Sequence, residues 1–269
     1  MKHLYSLAQL TALSYAPPRL VQLAADTGYD AAGIRLLPAA PGGVCYPLME
    51  DAALLRETRA RIEGTGVPVL DLELIRIGAG FDPAAYHAFM DVGARLGAKH
   101  ILVAGDEADE GRMTEGFARL CDAAAGFGLT CDLEFMPWTA VANLSHAVRI
   151  VEGAGRRNGG VLVDAIHFGR SASTLAEVER LPREWLHYGQ ICDALVPAPT
   201  TNEGLIHDAR CARLLPGEGA LPLPDLFARL PADLPVSVEI PHDVRAPAMG
   251  YEAWARAALA HARRVLEQA

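Results

Sequence analysis

The sequence predicts a single α/β domain built as a closed barrel of eight parallel strands with helices outside. Three observations predict it. Short apolar runs alternate with longer amphipathic stretches along all 269 residues, and the alternation makes eight rounds. Several of the amphipathic stretches are entered at Pro or left at Gly, the expected asymmetry of helix ends. The last four strand-like runs each carry an acid or an amide near the far end. Such alternation implies a parallel sheet, and eight rounds in one domain over residues 1–269 is the count of a (β/α)8 TIM barrel.

In chain order, Tyr5–Leu10 is the first strand-like run, and Pro17-Pro18 opens a stretch, Arg19–Ala25, with apolar residues at helical spacing. Ala31–Leu36 is followed by the helix-like Asp51–Glu63, which runs into Gly64. Val67–Leu74 leads to Pro83–Leu96, closed by Gly97, and His100–Ala104 leads to Gly111–Ala125, closed by Gly126. Thr130–Phe135 is followed by Ala140–Val151, ending at Gly153. Gly160–Asp164, Leu186–Ile191 and Val236–Ile240 complete the strands, and Tyr251–Gln268 closes the chain as a helix. An open doubly wound sheet would favour a glycine-rich phosphate loop directly after an early strand. The nearest match, Gly153-Ala154-Gly155 followed by Gly159-Gly160, leads from a helix into a strand and reads as a connection. The sequence shows no internal repeat, low-complexity segment or interdomain linker.

Apolar residues make up 51% and charged residues 21%, an ordinary globular balance. The net charge of −9 and pI near 5.5 argue against a nucleic-acid partner, whose phosphates must be neutralised by Lys and Arg. A small anionic ligand held by a few local arginines remains compatible with that balance. The stretch Met1–Ser6 has no apolar core of signal-peptide length, and no apolar run is long enough to span a bilayer. The expectation is a cytoplasmic chain without a membrane partner, either monomeric or a homo-oligomer. Cys45, Cys121, Cys131, Cys192 and Cys211 are odd in number and lack CxxC spacing, so they read as reduced thiols, not as a disulfide or zinc framework.

The chemistry concentrates in Val161-Leu162-Val163-Asp164-Ala165-Ile166-His167, a buried-strand pattern that finishes on a carboxylate with a histidine three residues later. Burying an unpaired charge costs several kcal/mol, and barrel chemistry sits at the C-terminal ends of the strands. Three other runs finish in the same manner: Cys131-Asp132-Leu133-Glu134-Phe135, His187-Tyr188-Gly189-Gln190-Ile191-Cys192-Asp193 and Val236-Ser237-Val238-Glu239-Ile240. Alternation along a strand lets Glu134, Asp164, Gln190 and Glu239 all point into the barrel mouth. Taken singly, Glu134 or Glu239 fits a salt-bridged barrel residue, Gln190 a core amide and His167 a satisfied histidine. Together, three converging carboxylates repel one another unless a cation sits among them, and a divalent metal is the economical explanation.

The segments Asp132-Leu133-Glu134-Phe135, Val163-Asp164-Ala165-Ile166-His167, Gln190-Ile191-Cys192-Asp193-Ala194, Pro216-Gly217-Glu218-Gly219 and Val238-Glu239-Ile240 resemble the xylose-isomerase-like TIM barrels, a superfamily that includes sugar phosphate isomerases/epimerases. The resemblance covers essentially the whole chain and is clearest over residues 130–245. It implies one divalent cation held by Glu, Asp, His and Glu from the last four strands. These are carried over to Glu134, Asp164 and Glu239, with Gln190 where many members have His. That glutamine, His167 after Asp164, and Arg210 with Arg213 before the PGxG loop also resemble the 3-dehydroshikimate dehydratases.

An all-oxygen donor set suits Mn²⁺ or Mg²⁺, with Co²⁺ or Zn²⁺ as softer possibilities. Such a metal would chelate a carbonyl and a neighbouring hydroxyl of a small substrate and stabilise the enediolate left when a proton is removed. Glu134 and Glu239 are the candidate acid and base, and His167 is the candidate holder of a substrate oxygen. Arg210 and Arg213 are candidates for binding a carboxylate or phosphate. Arg35, Glu73 and Asp71 are expected to form a structural network, and Trp138 either walls the pocket or caps the core. The leading reading is a metal-dependent isomerase or epimerase; the alternative is a lyase of the dehydratase type. A nuclease would need several histidines and a basic face. A sugar-binding relative without turnover would keep the metal site only in outline.

Overall fold

The computed structural model describes residues 3–267. Met1, Lys2 and Gln268, which entered the readings of the two chain ends, lie outside the described residues. Eight parallel strands close on themselves in sequence order: β1 (Tyr5–Leu7), β2 (Ala31–Arg35), β3 (Val69–Ile77), β4 (His100–Gly105), β5 (Thr130–Glu134), β6 (Gly159–Asp164), β7 (Gly189–Ile191) and β8 (Val236–Val238), with β8 pairing β1. This is the (β/α)8 TIM barrel that the alternation predicts.

The helices are α1 (Pro17–Thr27), α2 (Ala52–Thr65), α3 (His87–Leu96), α4 (Glu110–Ala125), α5 (Leu144–Ala154), α6 (Ala165–Arg170), α7 (Leu175–Val178), α8 (Asn202–Cys211), α9 (Leu223–Phe227), α10 (Arg245–Met249) and α11 (Tyr251–Glu267). Local chemistry sets their ends. Asp51, Asp109, Asn143 and Thr201 each turn a side-chain oxygen onto free backbone N–H groups at the starts of α2, α4, α5 and α8. Gly28 and Gly97 take left-handed conformations that end α1 and α3, where a side chain would be strained. No helix among the described residues is long and apolar enough to cross a membrane.

Several boundaries differ from the sequence reading. The first strand stops at Leu7 because Gln9–Ala12 tightens into a 3₁₀ turn. Arg183–Trp185 does the same before β7, which begins only at Gly189. The stretch from Pro83 divides into a 3₁₀ turn, Pro83–Tyr86, and α3. The fifth helix starts at Leu144 and runs past Gly153 to a left-handed Gly155.

The main apolar core lies between barrel and helices, where outward residues such as Leu7, Ile34, Val103, Leu133, Val163 and Val238 meet the helix faces. Inside the barrel only a smaller apolar group remains, including Leu70, Leu102, Leu162 and Tyr188. The rest of the interior is polar, and Ser6, Asp71, Glu73, Asp132, Glu134, Asp164, Gln190, Ser237 and Glu239 are all buried. A barrel interior is ordinarily filled with branched apolar side chains. This one sacrifices that packing to bring acids to one axis.

Candidate metal centre

Each candidate side chain is aimed by its strand. Leu133 points outward into the helix layer, so Glu134 at the end of β5 points in. Asp164 ends β6 and also starts α6: its Oδ1 accepts from Ile166 N at 2.9 Å, which leaves Oδ2 for the interior. The helical turn that follows brings His167 back over the same carboxylate. Its Nε2 lies 3.8 Å from Asp164 Oδ2 and 3.7 Å from Glu134 Oε1. Those separations are too long for hydrogen bonds. Asp164 is in register with Gln190 on β7, whose next neighbour across the ladder is Ser237 on β8.

The Gln190 amide is the most informative group. One of its terminal atoms sits 2.9 Å from Glu134 Oε1 and 3.2 Å from Asp164 Oδ2. With nitrogen in that place, the amide donates to both carboxylates. With oxygen there, three oxygens converge, and only a cation between them holds them together. Glu134, Asp164 and His167 each offer one ligand atom, and these lie within 4.8 Å of one another. The buried Nδ1 of His167 has no partner. The donor set, with Gln190 added, therefore fits a divalent ion.

Glu239 is held differently. Arg213, fully enclosed, donates from Nη1 to Asp164 Oδ2 at 2.7 Å and from Nε to Ala209 O, and its Nη2 forms an ion pair with Glu239 Oε2 at 2.8 Å. This guanidinium is a resident cation on two of the three carboxylates. Among the described residues Glu134 has no Lys or Arg in direct ion pairing, although the charge of Arg213 reaches it. Burial, and then the charges of Asp164 and Glu239, push the Glu134 carboxyl well above its usual range. Burial likewise lifts Glu239 to about 8 against the pull of Arg213. Burial lowers His167 to about 4, so its imidazole is neutral near pH 7 and has a lone pair to offer.

A chamber of about 40 Å³ lies over these groups, lined in part by Glu134, His167, Arg213, Glu239 and Trp138. It opens into a cleft of about 570 Å³ that shares Trp138, Arg76 and Arg210 with it. The Trp138 ring stands edge-on to His167, with centroids 5.1 Å apart. Arg210 lines both spaces and has no acidic partner among the described residues. Its guanidinium pKa is lowered by burial and by the nearby Arg76 and Arg35. Arg35 donates from Nε to Glu73 at 2.7 Å, as the network reading expects, yet it also reaches the chamber. Asp71 is near enough to feel the charges of both, but neither of its carboxylate oxygens is hydrogen-bonded among the described residues.

Thus Glu134, Asp164, Gln190 and His167 are brought together, Glu239 lines the chamber while paired with Arg213, and Arg210 faces the cleft. Two features escaped sequence reasoning. Arg213 lies against the acids because the Ala212–His242 and Asp193–Leu214 bridges fold its loop back onto the barrel. A second cluster, His100, Asp132 and His187, lies at the opposite end of the barrel. The available signal for it was Asp132, two residues before Glu134 and therefore on the same strand face.

A closed parallel barrel with acids converging at its mouth defines a TIM barrel protein with its site at the strand ends. The chain belongs to the Xylose isomerase-like TIM barrel family, whose model matches residues 21–265. Among curated proteins none matches the sequence. Solved structures show the same fold. A xylose isomerase-like TIM barrel/4-hydroxyphenylpyruvate dioxygenase fusion protein aligns at 21% identity and TM-score 0.85, covering 100% of this chain and 43% of that one. The chain thus spans under half the length of that relative. The IOLI protein, described with a binding zinc atom, aligns at 20% identity and TM-score 0.80, covering 98% of each chain. D-allulose 3-epimerase from Methylomonas sp., solved with D-allulose, aligns at 17% identity and TM-score 0.71, covering 98% and 97%.

Proposed function

We propose that the chain is a divalent-metal-dependent isomerase or epimerase acting on a small hydroxy-carbonyl substrate. The observation that carries this reading is the convergence of Glu134, Asp164, Gln190 and His167 beneath a cleft of substrate size. The family, and the D-allulose and D-psicose 3-epimerases that share the fold, support it.

Glu134, Asp164 and Gln190 would hold the ion, with Glu239 or His167 completing the set. When bound, the ion supplies positive charge for a carbonyl oxygen that becomes negative as the neighbouring proton leaves. The oxygen donors favour Mn²⁺ or Mg²⁺, whereas recruitment of His167 admits Co²⁺ or Zn²⁺. Glu134 and Glu239 line the chamber, and burial raises each above the usual carboxylate range, which suits a group that must both take and return a proton. His167, neutral and braced by Trp138, would donate to or accept from a substrate hydroxyl. The narrow inner chamber admits only the reacting atoms, and the outer cleft takes the remainder.

One observation favours a second reading. The unpaired Arg210 at the cleft fits the carboxylate of a keto-acid. On such a substrate one glutamate would remove a proton and the other would protonate the departing hydroxyl, eliminating water as a dehydratase does. Incubating the metal-loaded chain in D₂O with a panel of ketoses, inososes and hydroxylated keto-acids separates the two by NMR. Deuterium at the carbon beside the carbonyl, with a new isomer, is the expected result. A conjugated alkene with loss of water supports the lyase. Absence of both exchange and elimination across the panel contradicts both readings.

A further inference from the structure

The floor of the barrel, at the opposite strand ends, carries ligand-type side chains that the mouth does not use. His100 opens β4, Asp132 lies within β5 and His187 stands two residues before β7; one donor atom from each lies within 4.8 Å of the others. Asp132 is completely enclosed, while the His100 and His187 side chains keep 13% and 18% exposure, so the group is reached from solvent through the imidazoles. His187 Nδ1 is 2.6 Å from Asp132 Oδ1, and His100 Nδ1 is 3.9 Å from Asp132 Oδ2. The two rings lie within 12° of parallel, with centroids 5.6 Å apart, and both turn Nδ1 toward the one carboxylate. Thr130 Oγ1 lies 2.8 Å from His100 Nδ1 and 2.8 Å from Asp132 Oδ2, a further oxygen at the same place.

Two features point to a cation here. First, among the described residues Asp132 has no Lys or Arg partner, and its only ion-pairing neighbours are the two imidazoles. A buried carboxylate needs positive charge beside it, and an imidazole supplies that only while protonated. Second, Gly160 on the adjoining strand lets both donors lie against its backbone: a Cβ there would come within 2.5 Å of Trp185 O and within 2.7 Å of Asp132 Oδ1 and His187 Nδ1.

We propose that His100, Asp132 and His187 form a second metal site, on the barrel floor, that takes Zn²⁺ or a similarly nitrogen-preferring divalent ion. Two imidazoles and one carboxylate are a softer donor set than the oxygens of the mouth, so the two ends of the barrel sort metals by type. Binding releases to solvent any proton carried by the ligating atoms. The His187–Asp132 hydrogen bond is replaced by bonds from each to the ion, and Thr130 or water fills the remaining positions. The ion would tie β4 and β5 to the approach to β7, on the side of the barrel away from the cleft, and would act as a staple with no part in turnover. The proposal does not depend on the reading of the mouth.

Crystals of the full chain, grown with Mg²⁺ and soaked in Zn²⁺, test it at the zinc absorption edge. The expected result is an anomalous peak bounded by His100, Asp132 and His187; no peak there at saturating zinc overturns the site. In solution, zinc titration of the metal-stripped chain against a competing chelator should detect the floor ion. His187→Gln, which keeps a donor for Asp132, should weaken that ion by about tenfold or more, the loss that even an indirect ligand partner causes, with Mg²⁺ binding unchanged. Equal zinc affinity and stoichiometry in parent and variant overturns it. Where His187→Gln fails to fold, the diffraction result on the unaltered chain decides.

Discussion

The two ends of the barrel use the same strand for opposite outcomes. β5 sends Asp132 to the floor and Glu134 to the mouth, two residues apart on one face. At the floor, polar groups satisfy one another: Asp132 accepts from His187 and Thr130, and Thr130 meets His100. At the mouth they do not. Among the described residues His167 Nδ1 has no partner, and its Nε2 stands beyond hydrogen-bond reach of two carboxylates. The mouth lies beneath a cleft. Having three donors together does not distinguish a reaction centre from a brace. Unsatisfied donors beneath an accessible chamber do, since such groups are costly unless a ligand or an ion completes them.

The largest expected effect concerns Arg213. Arg213→Met in the metal-free chain leaves Asp164 and Glu239 buried without their cation and should cost about 3–5 kcal/mol in chemical denaturation. Saturating Mg²⁺ should recover part of that loss. An unchanged denaturation midpoint would show that the acids at the mouth are not electrostatically frustrated, and the contrast with the floor would fail.

Next come the proton carriers. Glu134→Gln and Glu239→Gln keep shape and an oxygen but remove the base. Each should lower turnover by roughly 10²-fold or more, the scale of general acid–base catalysis, on whichever substrate the D₂O panel identifies. Near-normal kcat with metal bound removes that residue from the role.

A smaller, qualitative effect is expected at Gln190. Gln190→His should shift preference from Mn²⁺ or Mg²⁺ toward Zn²⁺ or Co²⁺, because imidazole is the softer donor. The fold should hold, since the change lies among polar mouth groups and not in the apolar core. Metal competition on both proteins reads this directly, and an unchanged order of selectivity would place Gln190 outside the ligand set.

The smallest effect belongs to the floor. Thr130→Val removes a hydroxyl that bridges His100 and Asp132 and should cost about 0.5–1.5 kcal/mol of stability, the net worth of an ordinary hydrogen bond. Turnover should not change. A loss of activity would mean that floor and mouth are coupled through the polar interior.

Much of this was legible because strand periodicity is strict. Glu134, Asp164, Gln190 and Glu239 could be aimed at one place from alternation alone, and continuous apolar runs marked the strands that helices cover. α8 passed unread because it buries little: only Ala209 is fully enclosed, so its apolar periodicity is weak. α6 passed unread because it follows Asp164 without a connecting loop, so strand and helix signals merge. Arg213 could be placed beside a site by its spacing before Pro216-Gly217, but not as the partner of Asp164 and Glu239. That contact is made by a loop returning over the barrel, and local sequence carries no record of it. The His100–Asp132–His187 group was missed for the same reason, since β4, β5 and the approach to β7 contribute to it and no two of its members are close in sequence.

The central claim is that the unsatisfied groups at the mouth are completed by one divalent ion. Anomalous diffraction from crystals of the chain soaked in Mn²⁺ tests it most directly. The account predicts a single strong peak at the mouth, within coordination distance of Glu134, Asp164 and the oxygen of Gln190. No peak there at saturating Mn²⁺, with the Gln190 amide found donating its nitrogen to both carboxylates, would contradict it.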